Sequence, residues 1–289
     1  MLPKIIHQIW LQGVSYITQI SKERIDKIKS IHNIPNQDGY KGEYKGEYKG
    51  DSSNEDSSKW VYRLWDEIQI LELLQTLDKK YTDKYYKFTY LHQKVDYAKF
   101  IILKKYGGIY IDIDCNVIKN LDGLYLHSKD NDFIISYISQ TNKLINYFGC
   151  GYANKCINNG IIISKKNTDI CDYIIDELKY DCNNLLNKKS SCIQNTTGPK
   201  IFNKLIYSYI NSNKQNKSKI LILPYEYVEP CLFNICKNTE NTYIEHIHEW
   251  SWVNNFYKNV CMNYTKNSNL INLICIMFII YLIYYSYLE

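Results

Sequence analysis

The chain has 289 residues, 45% of them hydrophobic, which is enough for one α/β domain with a sizeable core. Its net charge of +5, from 35 basic and 30 acidic side chains, is too mild and too dispersed for a nucleic-acid footprint, so no nucleic-acid partner is expected. The 29 tyrosines and the abundance of Lys, Asn and Ile read as A/T-rich codon usage, so no single Tyr or Asn marks a site.

In chain order, Lys4 to Trp10 reads as a first strand and Lys22 to Ile31 has helical spacing. Residues 40–51, YKGEYKGEYKGD, are a tandem repeat; with the polar run DSSNEDSSK they form a low-complexity insertion over 38–59, read as a surface loop. Trp60 to Trp65 reads as a second strand and Glu67 to Leu77 as an amphipathic helix. Lys94 to Tyr106 reads as a helix ended by Gly107. Ile109 to Ile113, Phe133 to Ile138 and Ile161 to Ser164 read as strands, with helices from Thr168 to Leu178 and from Pro199 to Ile210. Late strands run from Lys219 to Leu223 and from Tyr243 to Ile247. Strands alternating with helices predict an α/β fold with a mainly parallel sheet. Ligands in such folds sit at the carboxyl ends of the strands.

The tail differs. Residues 270–288, LINLICIMFIIYLIYYSYL, carry no charge, and a helix of that length spans about 28 Å, close to the thickness of a bilayer core. The chain therefore divides into a catalytic domain over 1–266 and a single-pass C-terminal membrane anchor over 267–289. Lys258 and Lys266 precede the tail, which places the catalytic domain on the cytosolic side. Ten cysteines include no Cys-x2-Cys pair, and Cys231 and Cys236 have poor zinc spacing. No secretory leader precedes MLPKIIHQIW, so a reduced chain is expected. Sequons at Asn195, Asn216 and Asn263 point the other way, but arise by chance in so Asn-rich a sequence.

The stretch with most chemistry is YGGIYIDIDCN, residues 106–116. Strand alternation would turn Asp112 and Asp114 to one face and Ile111 and Ile113 to the other. Two carboxylates so close repel unless a cation lies between them, and hard oxygen donors suit Mg2+ or Mn2+ shared with substrate phosphates. Gly107 and Gly108 allow a backbone or ligand to approach closely. The bland alternative is a solvated acidic face, since an isolated D-x-D is common.

The context narrows the choice. The run from Gln93, QKVDYAKFIILKKYGGIYIDIDCNVIKNLDGL, resembles the signature of glycosyltransferase family 32, the DXD sugar-binding proteins. That family includes fungal initiating α-1,6-mannosyltransferases and bacterial capsule enzymes, and is related to the large clostridial glucosylating toxins. PKIIHQIW, YRLWD at 62–66, Thr197-Gly198-Pro199 and the His248–Trp252 segment resemble further elements in the family's order. The resemblance implies a GT-A fold, a Rossmann-like mixed sheet that binds a nucleotide sugar, and a retaining hexosyl transfer from a UDP- or GDP-sugar to a hydroxyl on a glycan, lipid or protein.

It also implies roles, position by position. Asp112 lies toward sugar and ribose, and Asp114 binds Mn2+ (or Mg2+). Asp96 contacts donor sugar hydroxyls, unless it only compensates a helix dipole. Lys99 stands where the family usually has Arg, keeping the charge but losing the bidentate fork. Trp10 stacks near the base, unless it is core packing. Gly108 and Asn159 line the donor. His248 is the metal-side ligand, with His246 competing from the same alternating face. Ser251 and Trp252 close over the diphosphate. Asp112, Asp114 and Asp96 are thus the candidate catalytic carboxylates. Two rivals remain: a metal-dependent nucleotidyl or phosphoryl transferase, which wants a third carboxylate and a basic groove, and a non-catalytic nucleotide-sugar-binding module, favoured by Lys99.

Overall fold

The computed structural model describes residues 2–35, 58–138, 150–151, 156–182, 189–212, 217–232 and 235–249, with 259, 263 and 267. Among the described residues the strands are β1 (Ile5–Ile9), β2 (Val61–Trp65), β3 (Gly108–Ile111), β4 (Cys115–Val117), β5 (Phe133–Ser136), β6 (Ile161–Ser164), β7 (Ile220–Leu223), β8 (Cys231–Leu232), β9 (Ile235–Cys236) and β10 (Ile244–His246). The α-helices are α1 (Gln19–Ile31), α2 (Glu67–Gln75), α3 (Lys79–Tyr86), α4 (Leu91–Tyr106), α5 (Asp122–Leu126), α6 (Asp169–Glu177), α7 (Lys189–Thr196) and α8 (Pro199–Ile210).

Six strands form one sheet in the order β2-β1-β3-β6-β5-β7. The β1–β2, β1–β3 and β5–β7 pairs are parallel, while β6 runs antiparallel to both β3 and β5. Five of its six strands run the same way and β6 is reversed, so the sheet is a mixed, GT-A-like α/β sheet with mainly parallel pairing. Its central strands are buried on both faces, which is why β3, β5 and β6 read as near-continuous apolar runs. One apolar layer gathers α2, α3, α4, α6 and α8 against one face; the other gathers α1 and the β4 and β10 region. Helix α4 carries nine buried positions and is the spine of the first layer. Asp66 caps α2 in a reciprocal capping box with Gln69.

Three features correct the sequence reading. First, β3 stops at Ile111, so Asp112, Ile113 and Asp114 form a turn, closed by the Cys115 N–H on the Asp112 carbonyl at 3.1 Å. The aspartates owe their convergence to that turn, not to strand alternation. Secondly, the close approach that Gly108 allows is to backbone. A Cβ there would lie 2.6 Å from the Ile5 carbonyl and 3.1 Å from His7 Nε2, at φ +102°, so this glycine lets β3 pack on β1. Thirdly, where a reduced chain was expected, Cys150–Cys156, Cys182–Cys192 and Cys231–Cys236 are placed as disulfide pairs, each joining partners close in sequence, while Cys115 and Cys171 are buried and unpaired.

The chain separates into compact units Met1–Glu249 and Trp250–Glu289. The 38–59 insertion falls almost wholly outside the described residues, as do Ser251, Trp252 and all of 267–289 except Asn267. Among the described residues no helix is long and apolar enough to cross a membrane.

Candidate active site

Strands β1 and β3 deliver the site. At the end of β1, Gln8 donates through Nε2 to the Asp112 carbonyl at 3.1 Å and accepts from the Tyr62 hydroxyl at 2.7 Å, fixing the backbone of the D-x-D turn from below. Asp112 accepts from the Tyr110 hydroxyl at 2.6 Å. Gly160, just before β6, has no room for a side chain: a Cβ would lie 2.5 Å from Asp112 Oδ2 and 2.7 Å from His246 Cε1.

Asp114 is held differently. Strand β4 leaves the main sheet and pairs antiparallel with β10, setting His246 opposite Cys115. That register brings His246 Nε2 within 3.3 Å of Asp114 Oδ1. The Glu249 N–H donates to the other carboxylate oxygen at 2.8 Å. His248, expected at this position, instead turns its Nε2 to Glu229, from a backbone at φ 57°, and stacks on His246 with ring centroids 3.9 Å apart. His246 is thus the imidazole that faces Asp114, because the β4–β10 register selects it.

Burial pushes the Asp112 carboxyl up to about 6; Lys99 and His246 oppose the rise and Asp114 adds to it. Burial also disfavours charge on Asp114, yet His246 and the Glu249 N–H outweigh it and hold that carboxyl well below the ordinary range. Neighbouring carboxylates driven in opposite directions are a mark of functional sites. Burial opposes the His246 cation, but Glu229 and Asp114 raise its pKa well above the usual value.

The donor set fits a divalent cation. His246 Nδ1 lies 3.0 Å from Glu229 Oε2 and 3.0 Å from the Asn158 amide nitrogen; with the proton assigned to Nδ1, the ring donates to Glu229. In a neutral ring the Nε2 lone pair then faces a carboxylate oxygen, an opposition that only a proton or a metal ion between them relieves. Carboxylate oxygen suits Mg2+ and Mn2+ and imidazole nitrogen suits later divalent metals, so the set does not select one ion.

A second group lies on α4. Asp96 Oδ1 meets Lys99 Nζ at 2.6 Å, with side-chain exposures of 12% and 1%. Thr197 of the Thr-Gly-Pro turn donates to Asp96 Oδ2 at 3.1 Å, and Lys99 also donates to the Asn159 carbonyl at 2.8 Å. The Asn159 amide reaches Asp96 Oδ1 at 3.5 Å. Asp96, Lys99 and Asn159 are therefore brought together, with Lys99 Nζ 5.6 Å from the centre of the Tyr110 ring that hands Asp112 its hydroxyl. Trp10, at the end of β1, is half-buried against the second apolar layer, and its Nε1 finds no acceptor among the described residues.

Two residues escaped the sequence reading, Asn158 and Glu229. The Asn158 amide donates to Glu229, and its Oδ1 accepts from the Ile161 N–H at 2.9 Å. Burial opposes charge on Glu229, but His248 and His246 outweigh it and lower its pKa. Nothing about Glu229 in PYEYVEPC separates it from other acids in a linear reading.

Residues 47–133 match the family described as a glycosyltransferase sugar-binding region containing a DXD motif. Over 280 residues the chain is 29% identical to an uncharacterized glycosyltransferase of Acanthamoeba polyphaga mimivirus, covering 95% of this chain and 92% of that protein. It is 30% identical over 69 residues to inositol phosphoceramide mannosyltransferase 1 of Schizosaccharomyces pombe, 24% of this chain and 22% of that one. Among solved structures, the PaToxG glycosyltransferase aligns at a TM-score of 0.41 and 18% identity, over 72% of this chain and 70% of that one. The D-x-D at residues 112–114 lies inside the matched region, and the chain, similar in sequence to these DXD-containing glycosyltransferases, is a transferase enzyme.

Proposed function

We propose that this chain transfers a hexose from a nucleotide diphosphate sugar to a hydroxyl acceptor, with a divalent cation, Mn2+ or Mg2+, at Asp114 and His246. The meeting of these two side chains beside Asp112, at the carboxyl end of a central strand, carries the reading. When bound, the ion supplies positive charge against a departing diphosphate. Asp112 is oriented by Tyr110 to accept from donor hydroxyls. Asp96, held by Lys99 and Thr197, is a fixed acceptor for the sugar. The half-buried Trp10 ring, at the end of β1, is proposed to stack near the base of the donor.

In the transfer, the bond from the anomeric carbon to the phosphate oxygen breaks and its electron pair leaves on the diphosphate. The acceptor oxygen bonds the same carbon, and its proton passes to the departing diphosphate. The configuration is proposed to be kept, in line with the family resemblance. The mannosyltransferase relative supports a hexose. The apolar run at 270–288 supports attachment to a membrane, tested by detergent partition of the full chain and its loss without 267–289. The three disulfides support an oxidising side of that membrane rather than the cytosolic face.

The test is release of UDP or GDP by the full chain with Mn2+ across a panel of UDP- and GDP-sugars, alongside Asp114→Asn. Release from one donor, abolished by EDTA and by the substitution, is expected. Absence of both turnover and Mn2+-dependent nucleotide binding would overturn the reading.

A further inference from the structure

Glu229 is a fully buried carboxylate whose two oxygens are both taken by imidazoles. His246 Nδ1 lies 3.0 Å from Oε2, and His248 Nε2 contacts Oε1. A buried charge persists only with partners, and removing them leaves a large penalty. Here the partners are two histidines of one segment, with the Asn158 amide as a third contact. The segment bearing Glu229 is itself tied down. The Glu229 N–H bonds the Tyr225 carbonyl at 2.7 Å, and Pro230 leads directly into the β8–β9 hairpin closed by Cys231–Cys236. The carboxylate is thus a fixed point, and the imidazoles are set against it.

The direction of His246 follows. A ring anchored through Nδ1–H can present only Nε2 to the opposite side, and Nε2 is the atom that meets Asp114. Histidine ligands are commonly oriented by a carboxylate on the second nitrogen, which fixes tautomer and ring angle and raises ligand basicity. Asn158 ties the same carboxylate to the start of β6, beside the Gly160 position that Asp112 and His246 crowd. One acid therefore sets both the imidazole and the strand edge around the D-x-D turn.

We propose that Glu229 is a positioning residue for the cation site, fixing His246 with Nε2 delivered toward Asp114. This rests on the reading of Asp114 and His246 as holders of a divalent ion. The experiment is Mn2+ binding by the full chain without nucleotide sugar, read from the electron paramagnetic resonance signal of free Mn2+. Wild type, Glu229→Gln and Asp114→Asn are compared. Gln fills the same volume and leaves no buried charge unpaired.

Expected is tight binding by wild type, loss in Asp114→Asn, and binding weakened about 10- to 100-fold in Glu229→Gln with an unchanged melting temperature. Wild-type affinity in Glu229→Gln, with Asp114→Asn still defective, overturns the role of Glu229 and leaves the cation site standing. No binding by wild type overturns both, through the cation site itself. A second measurement needs no variant at Glu229: long-range proton–nitrogen spectra of histidine-labelled wild type, with His246 assigned by His246→Gln. A proton on Nδ1 and none on Nε2 with diamagnetic Mg2+ bound supports the proposal. A proton on Nε2 alone overturns it.

Discussion

His7 lies fully buried in β1, beneath the Gly107–Gly108 pair that starts β3. Its Nε2 is 2.9 Å from the Gly107 carbonyl, and Trp65 Nε1 donates to its Nδ1 at 3.2 Å. Only the neutral ring with its proton on Nε2 satisfies both partners. Burial is the main reason that its pKa falls from 6.5 to about 3; the Gly107 carbonyl opposes the fall and Arg63 adds to it. The unfolded chain takes up this proton near 6.5 and the folded chain only near 3, so stability is present above 6.5 and is lost as pH falls below it. From about pH 7 to about pH 5 the loss from this one group is roughly 2 kcal/mol. Urea unfolding of wild type and His7→Gln at those two pH values measures it. Gln can donate to Gly107 and accept from Trp65 but does not titrate, so its stability should fall about 2 kcal/mol less over the interval. Equal losses in the two proteins would refute the account of a buried neutral imidazole.

Gly160→Ala should cut nucleotide-sugar turnover on the order of 100-fold with little change in the urea midpoint, because the new methyl displaces Asp112 and His246; unchanged turnover would sink that assignment. Lys99→Met strips the buried Asp96 of its cation and should cost about 3–5 kcal/mol in urea unfolding. A cost under about 1 kcal/mol would mean that the pair behaves like an exposed one. Reducing Cys182–Cys192, which closes ten residues, should remove about 2–3 kcal/mol, seen as a lower melting temperature in dithiothreitol. Peptide mapping without reductant checks the pairing itself, and free thiols at all six positions would contradict it.

The main sheet was legible because its strands are short apolar runs between clear helices. The end of β3 was not, since YIDID alternates as well as any strand and only the turn at Asp112 shows otherwise. Helix α3, KKYTDKYY, is polar and tyrosine-rich, and its helical state rests on the Asp78 cap and on burying Tyr81 and Tyr85. Helix α7, KSSCIQNT, has no strong periodicity and is stapled by Cys192 to Cys182. The aspartates, Asp96, Lys99 and Asn159 were readable because they stand close to motifs in the chain. The choice of His246 over His248 was not, because both occur in HIH and only the pairing of β10 with β4 decides between them. Glu229 was invisible for the same reason: its partners lie 17 and 19 residues away, and no local pattern records them.

The β4–β10 pairing also sets an order in time. The D-x-D turn is complete once β3 and β4 have been made, but the backbone that closes over Asp114 comes from Glu249, 135 residues later. At synthesis rates of roughly 5–20 residues per second, the carboxylates exist for about 7–27 seconds before Glu249 is made. A chain cut short before β10 keeps the sugar-binding motif and lacks the group that faces it.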